Sequence, residues 1–407
     1  MDRQRFNGAR VLDDSSEHAR SLAASPQTLE PAIRPYAAAP FCAELHCVGK
    51  PYSGRRENSR ETLDRAMASY AVSMYSRTRA VFLALDRIIA RSSLAMGNEE
   101  GVLLTFLFHG LFSDAKEEYS GPAHPGRITV EMFRRFLDHF QKHSYTFVSP
   151  NDISRGLNPS GKHVLVTFDD GYYNNTKALP LLEAFRVPAV LFVSTQHVIQ
   201  GKAFWWDALE RRALSRGIPR KQIQHMVERL KRLKTSQAEA QVCAQFGSDA
   251  LRPVSDVDRP FTPLELRDFA SHSLISLGNH TTDHAILTNY SPAEVRAQIQ
   301  EAQNDLQKLT GKTPTIIAYP NGNETSAIVD AARSAGIRFG LGVHPSRNSL
   351  PLEAGSQSAM TLKRFTLTGD CAIEAQCRVS RSLFSLYRVG RSVKRKVDSG
   401  FSPLQPA

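Results

Sequence analysis

The sequence predicts an α/β protein of parallel β/α units, with about seven strands closing into a barrel. Three observations carry that expectation. Short, nearly all-apolar runs of strand length alternate with segments of helical spacing along much of the chain. Strands apolar on both faces belong to sheets that are covered on both sides, which favours parallel pairing. The third concerns position: His109, Asp169-Asp170, His280 and Pro320 each lie at the C-terminal end of such a strand. In a β/α barrel the C-terminal strand ends converge on one face, so these residues would meet there.

The elements follow in order. Residues 1 to about 65 are rich in Ala, Arg, Ser, Pro and Glu without a sustained period, which predicts a disordered or loosely attached stretch. Met67, Met74 and Met96 are alternative starts. The N-terminus lacks the apolar core of a secretory signal, and no run reaches the length needed to cross a bilayer. Ala71 to Ala95 comes nearest, but Arg77, Arg79, Asp86, Arg87 and Arg91 interrupt it. Its composition predicts an amphipathic helix, packed on the domain or lying on a surface. Residues 1–99 are therefore read as a leader, ordered structure is expected from near Glu100, and the default compartment is cytoplasmic or peripheral to a membrane.

The central domain is read as 100–370. Gly101 to Phe108 is a strand ending in His109-Gly110, and Ile128 to His139 has helical spacing with Met132, Phe133, Phe136 and Leu137 on one side. The strand Val164 to Phe168 ends in Asp169, Asp170 and Gly171, before a helix-like segment from Ala178 to Phe185. Ala189 to Ser194 is another buried strand. An insertion of different character follows at about 203–260, opening with Phe204-Trp205-Trp206 and including a basic helix around Gln222 to Lys234. A helix from Pro263 leads to the strand Leu274 to Leu277, which delivers Gly278-Asn279-His280. Ser291, Pro292 and Glu294 are the N-cap, first and third residues of a helix start. Thr315 to Tyr319 is a strand ending in Pro320-Asn321-Gly322, and Ile328 to Ala335 is a helix stopped by Gly336. Phe339 to Val343 and Leu362 to Leu367 complete the strands. Residues 371–407 form a basic, apolar tail, with Arg388, Arg391, Lys394, Arg395 and Lys396 between Leu383 and Val397.

The chemistry starts from two adjacent carboxylates at a strand end. Neighbouring strand residues point in opposite directions, so one can bind a metal while the other takes a proton; a plain Asp-Gly turn is the bland alternative. His280-Thr281-Thr282-Asp283-His284 places two imidazoles four residues apart, which share a face on a helical turn. One oxygen and two nitrogens suit zinc or another borderline divalent ion, and three protein ligands leave positions open for water and substrate.

The segments Thr167-Phe168-Asp169-Asp170-Gly171, His280-Thr281-Thr282-Asp283-His284 and Ala318-Tyr319-Pro320-Asn321-Gly322, in this order, resemble the polysaccharide deacetylase family, carbohydrate esterase family four, over about residues 100–370. The resemblance implies a deformed (β/α) barrel that removes acetyl groups from N-acetylated sugars with a bound divalent metal, zinc foremost. It implies Asp170, His280 and His284 as ligands, Asp169 as general base and the backbone N–H of Tyr172 as an oxyanion donor. The common late Leu-x-His motif is absent. His109, in Phe108-His109-Gly110, resembles the general acid of a rearranged subgroup and is preferred to His344 and His272. The usual Arg before the third motif is also missing, and Arg364 resembles a late Arg of the same subgroup that could pair with Asp169. Trp205, Trp206 and Tyr319 are candidates for stacking on a sugar, with Pro320 and Asn321 beside them, although such aromatics often belong to a core.

Composition sets the outer bounds. The chain has 407 residues, 41% apolar and 22% charged, and a net charge of +11. That balance suits an anionic partner, a membrane surface reached through the basic tail or a lipid-linked phosphosugar, and no nucleic-acid motif is present. Five widely spaced cysteines (Cys42, Cys47, Cys243, Cys371, Cys377) read as reduced thiols. The expected substrate is an N-acylated glycan of the cell surface or its lipid-linked precursor. Alternatives with the same residues are a deformylase, a cyclic amidase or a non-catalytic carbohydrate-binding protein.

Overall fold

The computed structural model describes residues 85–383, except 87, 96, 98, 115, 116 and 118–126. Seven parallel strands frame it: β1 (Val102–Phe108), β2 (Lys162–Phe168), β3 (Ala189–Val193), β4 (Ile275–Asn279), β5 (Ile316–Ala318), β6 (Phe339–Leu341) and β7 (Arg364–Thr366). Strands pair in chain order from β1 to β6, and β7 returns to pair with β1. Between β6 and β7 the seam is a single bridge, Leu341 with Leu362. There Gly342 N–H donates to Leu362 C=O at 2.9 Å and Leu362 N–H to Gly340 C=O at 2.7 Å. The barrel is thus nearly closed, and its deformation lies where the strands are only three residues long. A Cβ on Gly340 would collide with the Met360 carbonyl and the Tyr319 hydroxyl, so this seam requires glycine.

Alternation along the strands divides the core. Leu103, Leu165, Val190, Phe192, Ile316, Phe339, Leu341 and Leu362 pack together inside the barrel. Leu104, Phe106, Val164, Val166 and Leu191 point outward onto the helices. Helix α1 (Val130–Lys142) buries Phe133, Phe136, Leu137 and Phe140, and the Thr129 hydroxyl caps it by accepting from Met132 N–H. It starts two residues later than its spacing predicts, because Ile128 and Thr129 pair with Leu111 and Phe112. Helices α2 (Pro150–Arg155), α3 (Leu179–Phe185) and α4 (Thr195–Gln200) follow.

The insertion holds three helices rather than one basic helix: α5 (Trp205–Ser215), α6 (Arg220–Leu230) and α7 (Thr235–Phe246). Their inner sides, including Leu209, Ile223, Leu230, Val242 and Phe246, form a separate apolar cluster. Helices α8 (Pro263–Ser271), α9 (Pro292–Thr310) and α10 (Ser326–Ser334) cover the remaining strands. The start of α9 is the box legible in the sequence, with Ser291 N–H and Oγ both bonded to Glu294 Oε2 at 2.9 and 2.8 Å.

Ordered structure begins before Glu100, since residues 88–95 are helical; the rest of the leader through residue 84 lies outside the described residues. The tail also divides. Helix α11 (Ile373–Arg381) docks on α1, with Glu374 paired to Arg135 at 2.6 Å and Arg381 held by Glu99 at 2.6 Å and His139 at 3.1 Å. Residues 384–407, with most of the basic segment, lie outside the described residues. Cys243 and Cys377 are free thiols, and Cys42 and Cys47 lie outside the described part. Among the described residues no helix is long and apolar enough to cross a membrane.

Candidate active site

The end of β2 supplies both carboxylates. Asp169 N–H still donates to Phe108 C=O at 2.9 Å, so the ladder runs one residue past the strand and Asp169 keeps the inward side of Leu165 and Thr167. Asp170 and Gly171 then adopt φ of 76° and 83° in succession, which ends the strand sharply. Asp tolerates that left-handed region better than most residues, and Gly freely.

The end of β4 supplies the imidazoles, though not by a helical turn as the four-residue spacing suggests. Thr281 and His284 have φ of 63° and 54°, and the segment is a tight turn. Asn279 Oδ1 accepts from Thr281 N–H and Thr281 Oγ1 from Ala285 N–H, both at 2.8 Å, which holds it shut. Of the six non-glycine residues with positive φ among those described, Asp170, Thr281 and His284 lie in this site. Strain of this kind is retained where the surroundings over-determine it, as in binding sites.

His280 Nε2 lies 3.2 Å and His284 Nε2 3.5 Å from Asp170 Oδ1, and the three donor atoms fall within 4.8 Å of one another. His280 Nδ1 donates to the Ala318 carbonyl at 2.8 Å, which leaves the Nε2 lone pair facing Asp170. Asp170 is 2% exposed and no hydrogen bond reaches its Oδ1. Buried lone pairs directed at one another repel unless a cation sits among them. Burial pushes His284 down to about 3, which keeps its ring in the neutral, ligating form. The set fits a divalent ion of the zinc type.

Asp169 has a different partner. Arg364 donates Nη1–H to its Oδ1 at 2.7 Å and Nη2–H to its Oδ2 at 2.9 Å. The guanidinium is fully buried; its Nε–H goes to Gly342 C=O at 2.8 Å and Nη1 also reaches Thr167 Oγ1 at 3.2 Å. Arg364 is therefore not a surface charge on an edge strand. Asp169 Oδ2 is 4.0 Å from His280 Nε2, which sets it beside the triad.

The other sequence candidates separate. His109 directly follows β1, at the C-terminal end of the strand beside β2, and its buried Nδ1 has no hydrogen-bond partner. Its backbone is fixed by Asn175 Nδ2–H, which donates to His109 C=O at 2.7 Å. His344 follows β6 on the same face of the barrel. His272, by contrast, precedes β4 and pairs with Glu183 at 3.4 Å. The five residues of β4, about 16 Å at 3.3 Å each, separate it from the site. Tyr172 is buried; Tyr173 N–H and Phe261 N–H make the ladder bonds to Arg259 and Gly171, so the Tyr172 N–H is turned away from that ladder.

Two of the aromatic candidates are core. Tyr319 is fully buried with its hydroxyl on Met360 C=O at 3.0 Å, and Pro320 beside it is buried too. Trp205, 4% exposed, packs in the apolar cluster of the insertion, because helix α5 turns it inward. Neither ring offers a sugar a face. Trp206 does reach the site, edge-on to His284 with centroids 4.6 Å apart. Asn321 is exposed and lines a groove with Trp206, Lys231, Thr235, His284 and Ile286.

One participant was not singled out from the sequence. Asp207, buried in the first turn of α5, accepts from the Tyr172 hydroxyl at 2.7 Å, and that oxygen accepts Trp206 Nε1–H at 3.2 Å. Burial pushes the Asp207 carboxyl well above its usual range. The only local signal was an acid set in the apolar opening of the insertion.

The family model described as polysaccharide deacetylase matches residues 156–340. YxkH of Bacillus subtilis (strain 168), assigned by its description to the polysaccharide deacetylases, is 22% identical over 228 residues, 55% of this chain. The match spans 61% of that curated relative's length. Among solved structures, the Streptococcus pyogenes deacetylase PplD in complex with acetate is 16% identical with a TM-score of 0.47, covering 69% of this chain and 98% of that one. A de-N-acetylase from Aggregatibacter actinomycetemcomitans is 13% identical with a TM-score of 0.47, covering 68% and 99%.

Proposed function

The chain belongs to the polysaccharide deacetylase family, whose members are hydrolases of non-peptide carbon–nitrogen bonds, and from that premise we propose that it hydrolyses the N-acetyl amide of a glycan sugar with a divalent metal, zinc first. The observation that carries the reading is the pairing of two unlike carboxylates: Asp170 facing two imidazole nitrogens, and Asp169 gripped by Arg364 beside them.

Asp170, His280 and His284 would hold the ion, which supplies Lewis acidity toward the acyl oxygen and acidifies a neighbouring water. Asp169 takes the proton from the attacking water as the new carbon–oxygen bond forms. Its fork with Arg364 fixes its plane while leaving lone pairs for that proton. The Tyr172 N–H is assigned to the developing oxyanion. His109 donates a proton to the departing sugar nitrogen as the carbon–nitrogen bond breaks, giving acetate and a free amine. The test is acetate release from a panel of acetylated glycans and lipid-linked sugars, with chelator and after return of zinc. No release from any of them in metal-loaded protein rejects the reading.

A membrane contact through the basic segment 383–397 belongs to the same proposal, given its charge and apolar residues. Liposomes with anionic lipid should lose binding when the chain is cut after Leu383. Removal from residue 371 would also take away docked α11 and is the poorer test.

A further inference from the structure

The groove beside His284 is walled on one side by the barrel loop, with Ile286 and Asn321, and on the other by the insertion, with Trp206, Leu233 and Lys231. The two walls are fastened together. Asn289 Nδ2 donates to both the Lys231 and Leu233 carbonyls at 2.9 Å, and Thr235 N–H donates to the Tyr290 hydroxyl at 2.8 Å. Lys234 closes the seam on Glu294. The turn that carries Lys231 is therefore pinned at the mouth of the candidate active site.

Charge along the end of α6 and the turn after it is one-sided, although of its cations only Lys231 lines the groove. Arg229, Lys231, Arg232 and Lys234 fall within six residues, and Glu228 is the only acid between Arg220 and Thr235. The bland account is a solvated helix end whose cations complement the carbonyls of α6. That account explains the exposed Arg229 and Arg232. It does not explain a lysine that lines a groove against a metal-site histidine. The Lys231 ammonium is 2.9 Å from Glu228, but this is an i,i+3 pair whose acid is 68% exposed. Such pairs contribute little, so the ammonium can exchange Glu228 for an anion on a ligand.

We propose that Lys231 makes the groove a subsite for a negatively charged group, carboxylate or phosphate, next to the N-acetyl sugar, with Trp206 as its apolar wall, so that the substrate is an anionic N-acetylated glycan. This rests on the hydrolase reading of the adjacent site. Lys231 determines specificity and takes no part in the bond-breaking step.

The test uses three probes: a neutral N-acetylglucosamine tetramer, a hyaluronan tetrasaccharide whose uronates supply carboxylate, and UDP-N-acetylglucosamine, which supplies phosphate. Binding is measured with zinc-loaded full-length Asp169→Asn protein, where turnover is suppressed. At least one anionic probe should bind about tenfold tighter than the neutral tetramer at low salt, as expected for a hydrogen bond to a charged group. That ratio should fall toward one in Asp169→Asn/Lys231→Gln and, for the single variant, at 0.5 M salt, where the Debye length is only about 4 Å. Which anionic probe gains distinguishes carboxylate from phosphate. Equal affinity for all three, or a preference that survives Lys231→Gln, overturns the inference and leaves the deacetylase reading standing. Charge-selective binding without acetate release by the native protein does the reverse.

Discussion

Arg364 and Asp169 meet through two parallel N–H···O bonds of 2.7 and 2.9 Å although 195 residues separate them in the chain. Both are buried, one on the last strand of the barrel and the other at the end of the second. The fork therefore joins the closing strand to the residue assigned to proton transfer. Closure of the barrel and the orientation of that carboxylate depend on the same contact.

Removing one partner of a buried pair leaves the other uncompensated. Arg364→Met should destabilise the protein by about 3–5 kcal/mol, read as a lowered urea midpoint at unchanged slope. Arg364→Lys keeps the charge but not the fork, and should fold while losing activity. Equal activity in Arg364→Lys would show that orientation by the fork is unimportant.

Asp169→Asn and His280→Ala should fail in different ways. The first should retain metal, measured as zinc per chain after dialysis, yet lose turnover by about 10²–10⁴, the range for a general base. The second should lose the ion itself. Full activity in Asp169→Asn would reject the assignment of the base.

His109 and His344 compete as general acid. His109→Ala should slow acetate release by about 10²–10⁴ at unchanged zinc content, while His344→Ala should not. The opposite pattern transfers the role to His344.

Away from the site, burial chiefly, with His143 and Arg381, pushes the His139 ring down to about 3. It is neutral in the folded protein and accepts from Arg381 at 3.1 Å. The unfolded chain binds this proton near pH 6.5, so the folded state gains stability from a neutral His139 above that pH. The contribution is lost progressively as pH falls from about 6.5 toward 3. Chemical denaturation at pH 7, 5.5 and 4.5 should show a smaller pH dependence in His139→Gln. An unchanged dependence would remove His139 from the acid response.

The sequence by itself determined the alternation of strands and helices and the strand ends that carry Asp169, Asp170 and His280, because apolar runs and caps are local signals. Distance along the chain hid the rest. The spacing of His280 and His284 suggested a helical turn, but two left-handed residues form a tight one, a backbone choice set by the contacts of Asn279 and Thr281. Composition placed Trp205, Trp206 and Tyr319 together as candidates for a sugar platform; only packing separated Trp206, against His284, from the two that fill the core. Asp207 became visible only when the insertion folded onto Tyr172. Residue type fixes what a side chain can do, but which groups share a buried space is decided when the barrel closes.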